Sequence, residues 1–362
     1  MLKSAACAVL LAFGATLGGC AASTQLSRSD VRSVAGRTYV IVGASSGFGR
    51  GAAVELGRRG ANVVVAARRA DLLEEVAAEV RRAGGQALAV PTDIAAPDQV
   101  EALAQAAERR FGRIDVWMNI AGVGATGRFW DVPVADYSRI VDVNLKGVVY
   151  GSHVALRRFV AQRAGTLVNM GSVESQVPLA YHATYAATKA GVLSLGRSLN
   201  QEIRHAGLAR TVKVATVMPW AADTPFFQHT ANYSGHADRM VLMDGPEKIV
   251  RALVWVSLHP REELPVGWKA RLADTVHHLL PDLTERIAAN IHRAELAKGT
   301  PVAPTSGSVH TPMPEGRGAD GGVRARMKAE DQAHESPVSP PRLNPSRPTP
   351  EIPSSPGVEQ VR

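Results

Sequence analysis

The sequence has almost no cysteine. Its two thiols, Cys7 and Cys20, both fall within the first 20 of 362 residues, which excludes a disulfide framework and a Cys-rich zinc module. It also lacks an uncharged apolar run of about 20 residues, the length a bilayer-spanning helix requires. Aromatic residues make up only 5%. From residue 298 onward there is no Phe, Trp or Tyr, yet twelve of the 22 prolines lie there. A segment with so little to bury cannot offset its ordering entropy, and Pro340, Pro341, Pro345, Pro348, Pro350, Pro353 and Pro356 forbid regular helix or central strand. Residues 299–362 are therefore expected to form a disordered, partly polyproline-like tail. The net charge is +8, but the basic residues are scattered, so no nucleic-acid partner is expected. What is present, 45% apolar and 20% charged residues with a mean hydropathy of −0.04, is the composition of a globular protein.

The beginning of the chain reads differently from the rest. Lys3 precedes an uncharged apolar run from Ala5 to Leu17, and Leu17-Gly18-Gly19-Cys20 follows. The run suits a secretory signal with small residues at its cleavage site, and the tetrad resembles the lipobox of bacterial lipoproteins. That resemblance implies a signal-like leader over 1–23 and a lipid anchor at Cys20, making the protein a membrane-anchored lipoprotein. An uncleaved anchor, or an over-extended start in front of a cytoplasmic enzyme, stays open beside it.

Between these ends, strand-like and helix-like stretches alternate. Thr38 to Val42, Val63 to Ala67, Ala87 to Val90, Ile114 to Asn119, Thr166 to Met170 and Val212 to Met218 are short apolar runs. Helical spacing separates them, for example Leu72, Leu73, Val76 and Val80 behind Asp71, which reads as a helix cap, and a long helix over 134–163. Continuous rather than alternating apolar strands indicate a parallel sheet covered on both faces. The expected fold is a doubly wound α/β domain of Rossmann type over 35–265, with its ligand crevice at the carboxyl ends of the strands. Two amphipathic helices around Pro281 form a helical appendage over 266–298, expected to pack on the domain or pair subunits in a homo-oligomer.

The first strand runs into Gly43-Ala44-Ser45-Ser46-Gly47-Phe48-Gly49 and then a helix. Glycines at a helix N-terminus allow close backbone approach, and the free N–H groups with the helix dipole favour phosphate. Ser45 and Ser46 are expected to cap that helix and donate to phosphate. Further along stand Asp93 after the third strand, Asn119-Ile120-Ala121-Gly122 after the fourth, Asn144 in Val143-Asn144-Leu145-Lys146-Gly147, and Ser172 thirteen residues before Tyr185-Ala186-Ala187-Thr188-Lys189. This ordered set resembles the short-chain dehydrogenase/reductase family over roughly residues 35–260. The resemblance implies a catalytic set of Asn144, Ser172, Tyr185 and Lys189. For a nicotinamide cofactor it implies a site made by Gly43, Ser45, Ser46, Gly47, Phe48, Gly49, Asp93, Asn119, Ala121, Gly122, Tyr185, Lys189, Pro219 and Thr224.

Arg68 and Arg69 end the second strand where a carboxylate would bind the ribose diol of NAD. Arginine there accommodates a 2′-phosphate, so NADP(H) is expected ahead of NAD(H); a solvated turn is the plainer alternative. Tyr185 and Lys189 are i and i+4 on one helix face, and a neighbouring ammonium is expected to lower the phenol's pKa and make it an acid/base. As the family implies, Ser172 would hydrogen-bond the substrate oxygen, Lys189 reach the nicotinamide ribose and Asn144 hold a water relay. His182, His205 and His229 show no ligand spacing, and no metal is expected.

The chain departs from the family where Val42 replaces a Thr and where Trp220 follows Pro219 in place of Gly. Phe226, Phe227, His229, Tyr233, Met240 and Met243 lie in the region that forms the family's substrate lid, which suits an apolar ketone or alcohol; packing of the loop on the body is the competing reading. The expected activity is reversible carbonyl/alcohol oxidoreduction. The alternative is a non-catalytic nucleotide-binding or membrane-tethered scaffold on the same fold.

Overall fold

The computed structural model describes residue 24 and residues 26–335. The leader with Cys20, and the tail beyond residue 335, lie outside the described residues. After a short helix α1 (Arg28–Val34), the alternation runs β1 (Thr38–Val42), α2 (Gly47–Gly57), β2 (Asn62–Ala67), α3 (Ala70–Arg82), β3 (Gln86–Pro91), α4 (Pro97–Phe111) and β4 (Val116–Asn119). A two-residue strand β5 (Ala125–Thr126) and helix α5 (Val134–Val141) follow, then a π-turn at Asp142–Lys146, α6 (Gly147–Gln162) and β6 (Gly165–Met170). Next come a 3₁₀ turn (Val173–Ser175), α7 (Ala183–His205), β7 (Val212–Pro219), α8 (Phe226–His229) and β8 (Ala231–Asn232). The described chain ends with α9 (Pro246–Leu258), β9 (Glu263–Val266), α10 (Gly267–Leu279), α11 (Pro281–Leu296) and α12 (Val323–Glu335).

Seven strands form one parallel sheet in the order β3-β2-β1-β4-β6-β7-β9. β1 is buried along its whole length, and its side chains alternate between the two faces. Tyr39 and Ile41 pack with Leu56, Leu73, Val76, Ile249 and Leu253 of α2, α3 and α9. Val40 and Val42 pack with Val100, Leu103, Val154 and Phe159 of α4 and α6. Helices on both faces are what a parallel sheet with right-handed crossovers requires. The order reverses between β1 and β4, which opens a crevice at their carboxyl ends.

Three elements differ from the sequence expectation. The long helix over 134–163 is interrupted by the π-turn at Asp142–Lys146. Asp71 sits in the first turn of α3, where its charge suits the helix dipole, while Arg69 is the cap residue. The third is the tail. Residues 299–335 are not disordered: they cross the mouth of the crevice as a strap, with Val309 fully buried, and end in α12. Low apolar content forbids an independent core, but it does not forbid docking on a core that already exists. The strap is held mainly by polar contacts. Arg239, 1% exposed, pairs with Glu330 at 2.5 Å, Asp331 at 2.5 Å and Glu295 at 3.4 Å. The two helices around Pro281 are present as α10 and α11, with Trp268, Leu279, Leu280, Leu283, Ile287 and Ile291 exposed.

Candidate active site

The crevice is lined from the glycine loop at one end to the lid residues at the other. At the loop, Gly43 has φ +93 and a Cβ there would lie 2.5 Å from the Ala121 backbone nitrogen. A Cβ on Gly49 would collide with the Gly43 carbonyl oxygen. Both positions therefore need glycine to bring β1, α2 and the Ala121 turn together. Ser46 is the cap residue of α2, but its hydroxyl makes no cap hydrogen bond. Instead the Arg69 guanidinium donates to Ser45 Oγ at 3.1 Å and to Ser46 Oγ at 3.0 Å. The expected serine caps are thus spent on an arginine, and the helix N-terminus remains available to an acceptor.

One such acceptor is supplied by the strap. The Gly47 N–H donates to Gly318 O at 2.9 Å. Arg68 donates to Ser308 O at 2.6 Å and His310 O at 2.8 Å, and Arg69 donates to Met313 O and Glu315 O, both at 3.1 Å. Neither guanidinium makes an ion pair among the described residues, and burial pushes both pKa values down.

At the other end, β6 delivers Ser172, and the first turns of α7 deliver Tyr185 and Lys189 to the same wall. Lys189 Nζ lies 5.5 Å from the centre of the Tyr185 ring and donates to Met170 O at 2.8 Å. Burial brings the Lys189 ammonium down to about 8, against a smaller opposite pull from Glu174. The phenol does not behave as expected: burial pushes its pKa up, the Glu174 charge adds to that, and Ser172 offsets only part. Tyr185 is therefore protonated at neutral pH and stands as a proton donor.

The profile of the family described as "short chain dehydrogenase" matches residues 37–233. The chain belongs to the short-chain dehydrogenase family. It is 31% identical over 260 residues to an uncharacterized oxidoreductase, YxnA, of Bacillus subtilis, covering 70% of this chain and 72% of that one. It is 34% identical over 233 residues to a 3beta-hydroxysteroid dehydrogenase of Eggerthella lenta, covering 61% and 87%. Among solved structures, a 3-ketoacyl-(acyl-carrier-protein) reductase of Brucella melitensis complexed with NADH is similar at TM-score 0.57 and 28% identity, covering 64% of this chain and 97% of that one. Family membership makes the protein an oxidoreductase of the CH–OH/C=O class.

Within this short-chain dehydrogenase, most residues assigned from the sequence line the crevice: Gly43, Ser45, Ser46, Gly47, Phe48, Arg68, Arg69, Asp93, Ala121, Gly122, Ser172, Tyr185, Lys189, Pro219 and Thr224. Two do not. Asn119 is 1% exposed; its Oδ1 accepts from Trp117 Nε1 at 2.8 Å, and its Nδ2 donates to Asn169 Oδ1 at 2.9 Å. It ties β4 to β6 beneath the crevice. Asn144 is wholly buried on the π-turn; its Oδ1 accepts from the Val123 N–H at 2.9 Å and its Nδ2 donates to Val123 O at 2.8 Å. Both ends of its amide hold the loop after β4. Asp93 lines the crevice, but its carboxylate accepts from Arg139 at 2.5 Å and from the Ala95 N–H at 3.0 Å. Burial pushes its pKa up, and these partners outweigh that and leave it low.

The lid region divides. Phe226, Phe227, His229 and Met240 line the crevice, with Phe226 5.5 Å from the Tyr185 ring. Tyr233 instead donates to Asp136 at 2.6 Å, and Met243 packs with Met240 and Val323. Trp220 lines the crevice and its Nε1–H donates to Val241 O at 3.0 Å, which pins the far end of the lid. Sequence reasoning missed Glu174, His182 and Asp238, all in the crevice wall. His182 was considered only for metal spacing, yet it is the residue that precedes α7, and its ring lies 6.4 Å from that of Tyr185. Asp238 carried no such signal.

Proposed function

We propose that the protein reduces apolar carbonyl compounds with NADP(H), with Tyr185 as the proton donor. The observation that carries this reading is the placement of Tyr185 in the crevice wall, with Lys189 Nζ 5.5 Å from its ring and Ser172 lining the same wall. The fit to a dinucleotide rests on the glycine turn, where the absence of Cβ atoms at Gly43 and Gly49 lets β1, α2 and the Ala121 turn close up and sets the α2 N-terminus in the crevice wall. The backbone from Gly43 to Gly49 would hold the diphosphate at the α2 N-terminus. Arg68 and Arg69 would hold a 2′-phosphate in place of the carbonyls of residues 308–315, and charge-assisted bonds to phosphate are stronger than bonds to a neutral carbonyl. Gly122, Pro219, Thr224 and Lys189, which line the crevice, would bound the nicotinamide end.

When bound, the dinucleotide supplies the reducing equivalent. The chain's own part is to place and protonate the substrate oxygen. Ser172 and Tyr185 would donate hydrogen bonds to it, and Tyr185 would release its proton as negative charge develops there. Lys189, a cation held behind the ring, stabilises the phenolate that results. Phe226, Phe227 and Met240 supply an apolar wall for the rest of the substrate. The test is NADPH oxidation with a panel of apolar ketones by wild type and Tyr185→Phe, alongside titrations of NADPH and NADH. Equal rates for the two proteins would sink the mechanism. Tighter binding of NADH would sink the cofactor choice.

A further inference from the structure

Residues 308–318 of the strap turn their carbonyls towards the donors of the nucleotide end. Arg68 gives Nη2 to Ser308 O and Nη1 to His310 O, and Arg69 gives Nη1 to Met313 O and Glu315 O. Arg50, 9% exposed, donates to Arg317 O at 2.8 Å, and the Gly47 N–H donates to Gly318 O. Arg69 Nη2 is taken by Ser45 and Ser46. Both terminal nitrogens of Arg68 and of Arg69 are therefore engaged, and so is the first N–H of α2. A neutral stretch of peptide meets donors that are built to meet an anion.

The cluster is electrostatically one-sided. Burial is the first cause that lowers the Arg69 pKa; Asp71 opposes it, while the charges of Arg317, Arg68 and Arg50 add to it. Asp93, whose charge reaches Arg68, is already paired with Arg139. Carbonyls satisfy the hydrogen bonds of these arginines but bring them no charge, whereas a phosphate brings both.

The strap's anchors lie outside this donor set. Val309 is fully buried in the core cluster that holds Val40, Val64 and Ala66. The Asp223 carboxylate accepts from the Val323 and Arg324 N–H groups at 2.8 and 3.0 Å and so caps α12. Gln228 Nε2 donates to Gly321 O at 2.6 Å. The stretch between Val309 and Gly321 can therefore leave the arginines while both of its ends stay tied. Those tethers also keep its carbonyls at a high local concentration beside the arginines.

We propose that residues 308–318 are a built-in competitor for the nucleotide end, displaced by a nucleotide that carries a 2′-phosphate and left in place by one that does not. This rests on the NADP(H) reading of the same site. Each donor hydrogen serves one acceptor well, so the strap carbonyls and the phosphate exclude each other at Arg68 and Arg69. The affinity for the nucleotide is then reduced by the fraction of molecules in which the strap is closed. A free ribose diol offers the arginines no charge in exchange.

The probe is adenosine 2′,5′-bisphosphate, which carries the 2′-phosphate without a nicotinamide, with adenosine 5′-monophosphate as its control. The full-length protein is treated briefly with trypsin, and cutting after Arg317 is followed by the mass of the fragments. The Arg317 carbonyl is held by Arg50 and its side chain by Glu75, so the cut reports release of the strap. Saturating bisphosphate should speed it about tenfold or more, and the monophosphate should leave it within about twofold. Unchanged or slower cutting with the bisphosphate bound would overturn the proposal, the strap then staying over the nucleotide instead of yielding to it.

A second arm loosens the tethers without altering any charge. Val309→Ser and Gln228→Ala should each tighten bisphosphate binding by about threefold or more in calorimetric titration, because less of the site is closed. Equal affinity in wild type and both variants sinks the strap proposal and leaves the cofactor reading standing. Binding to none of the three proteins sinks both. Binding seen only in the loosened variants supports the proposal.

Discussion

The two ends of the crevice are built in different ways. At the chemical end, Ser172, Tyr185 and Lys189 come from the end of a buried strand and the start of a 23-residue helix. Their positions follow from sheet packing, and no single contact can be removed to undo them. At the nucleotide end, Arg68, Arg69 and Gly47 are engaged by carbonyls of a strap some 240 to 271 residues further along the chain. That end is closed mainly by hydrogen bonds to backbone carbonyls, with Val309 of the strap set into the core beside β1 and β2, while the Arg239 ion pairs hold α12 further along. One end is fixed by burial; the other is held by contacts that can be exchanged.

The largest expected effect lies at the fixed end. Tyr185→Phe should lower turnover by roughly 100- to 10,000-fold, the usual range for a lost general acid, with an unchanged melting temperature. The measurement is steady-state NADPH oxidation on the purified variant. A fall below tenfold would mean that the proton comes from elsewhere.

Next in size is the clamp on the strap. Arg239→Leu takes from Glu330, 6% exposed, its short ion pair and leaves it Thr300 and the longer Arg326 contact; breaking a buried pair outright costs about 3–5 kcal/mol, which is the upper bound here. Limited proteolysis should then cut within residues 299–335 while the sheet resists. If the variant resists as wild type does, the strap is not held by this cluster.

His292 sharpens the contrast through pH. It is 5% exposed, its ring lies 4.8 Å from that of His182, and burial followed by the His182 charge brings its pKa down to about 3. A folded-state pKa below the unfolded value of about 6.5 means that stability is present above pH 6.5 and is lost as pH falls towards 3. At pH 5 the loss is on the order of 2 kcal/mol. Urea unfolding at pH 7 and pH 5 should show a smaller acid-side loss in His292→Gln than in wild type; equal losses would rule this group out.

The smallest effect expected is Arg69→Ala. Losing one charge-assisted pair of hydrogen bonds should weaken NADPH binding by about tenfold and leave NADH nearly unchanged. Isothermal titration with both nucleotides reads this directly. Equal weakening of both would assign Arg69 to the strap and the serines rather than to a 2′-phosphate.

Legibility in the sequence followed the same division. The buried strands were readable because a fully covered parallel strand has no polar face to show, as in Thr38 to Val42. The pair Tyr185 and Lys189 was readable because helical geometry places i and i+4 together whatever surrounds them. Asn119 and Asn144 were found at the right points in the chain, yet both amides hold the backbone around the crevice. Their role depended on where Trp117 and Val123 came to lie. The raised pKa of Tyr185 was invisible for a similar reason, since it comes from burial and from Glu174 rather than from Lys189. The strap was misread because its contacts are made largely by backbone carbonyls, which every residue possesses and no composition reveals.

The linear pattern thus decided the alternation of strands and helices, the glycine turn and the spacing of the reactive side chains, all of which are local consequences of backbone geometry. Folding in three dimensions decided which polar atoms are paired and which are left over. That is why the unpartnered oxygen of Glu174, the raised pKa of Tyr185 and the closed nucleotide end belong to the tertiary structure: each depends on the packing of groups from distant parts of the chain against one another.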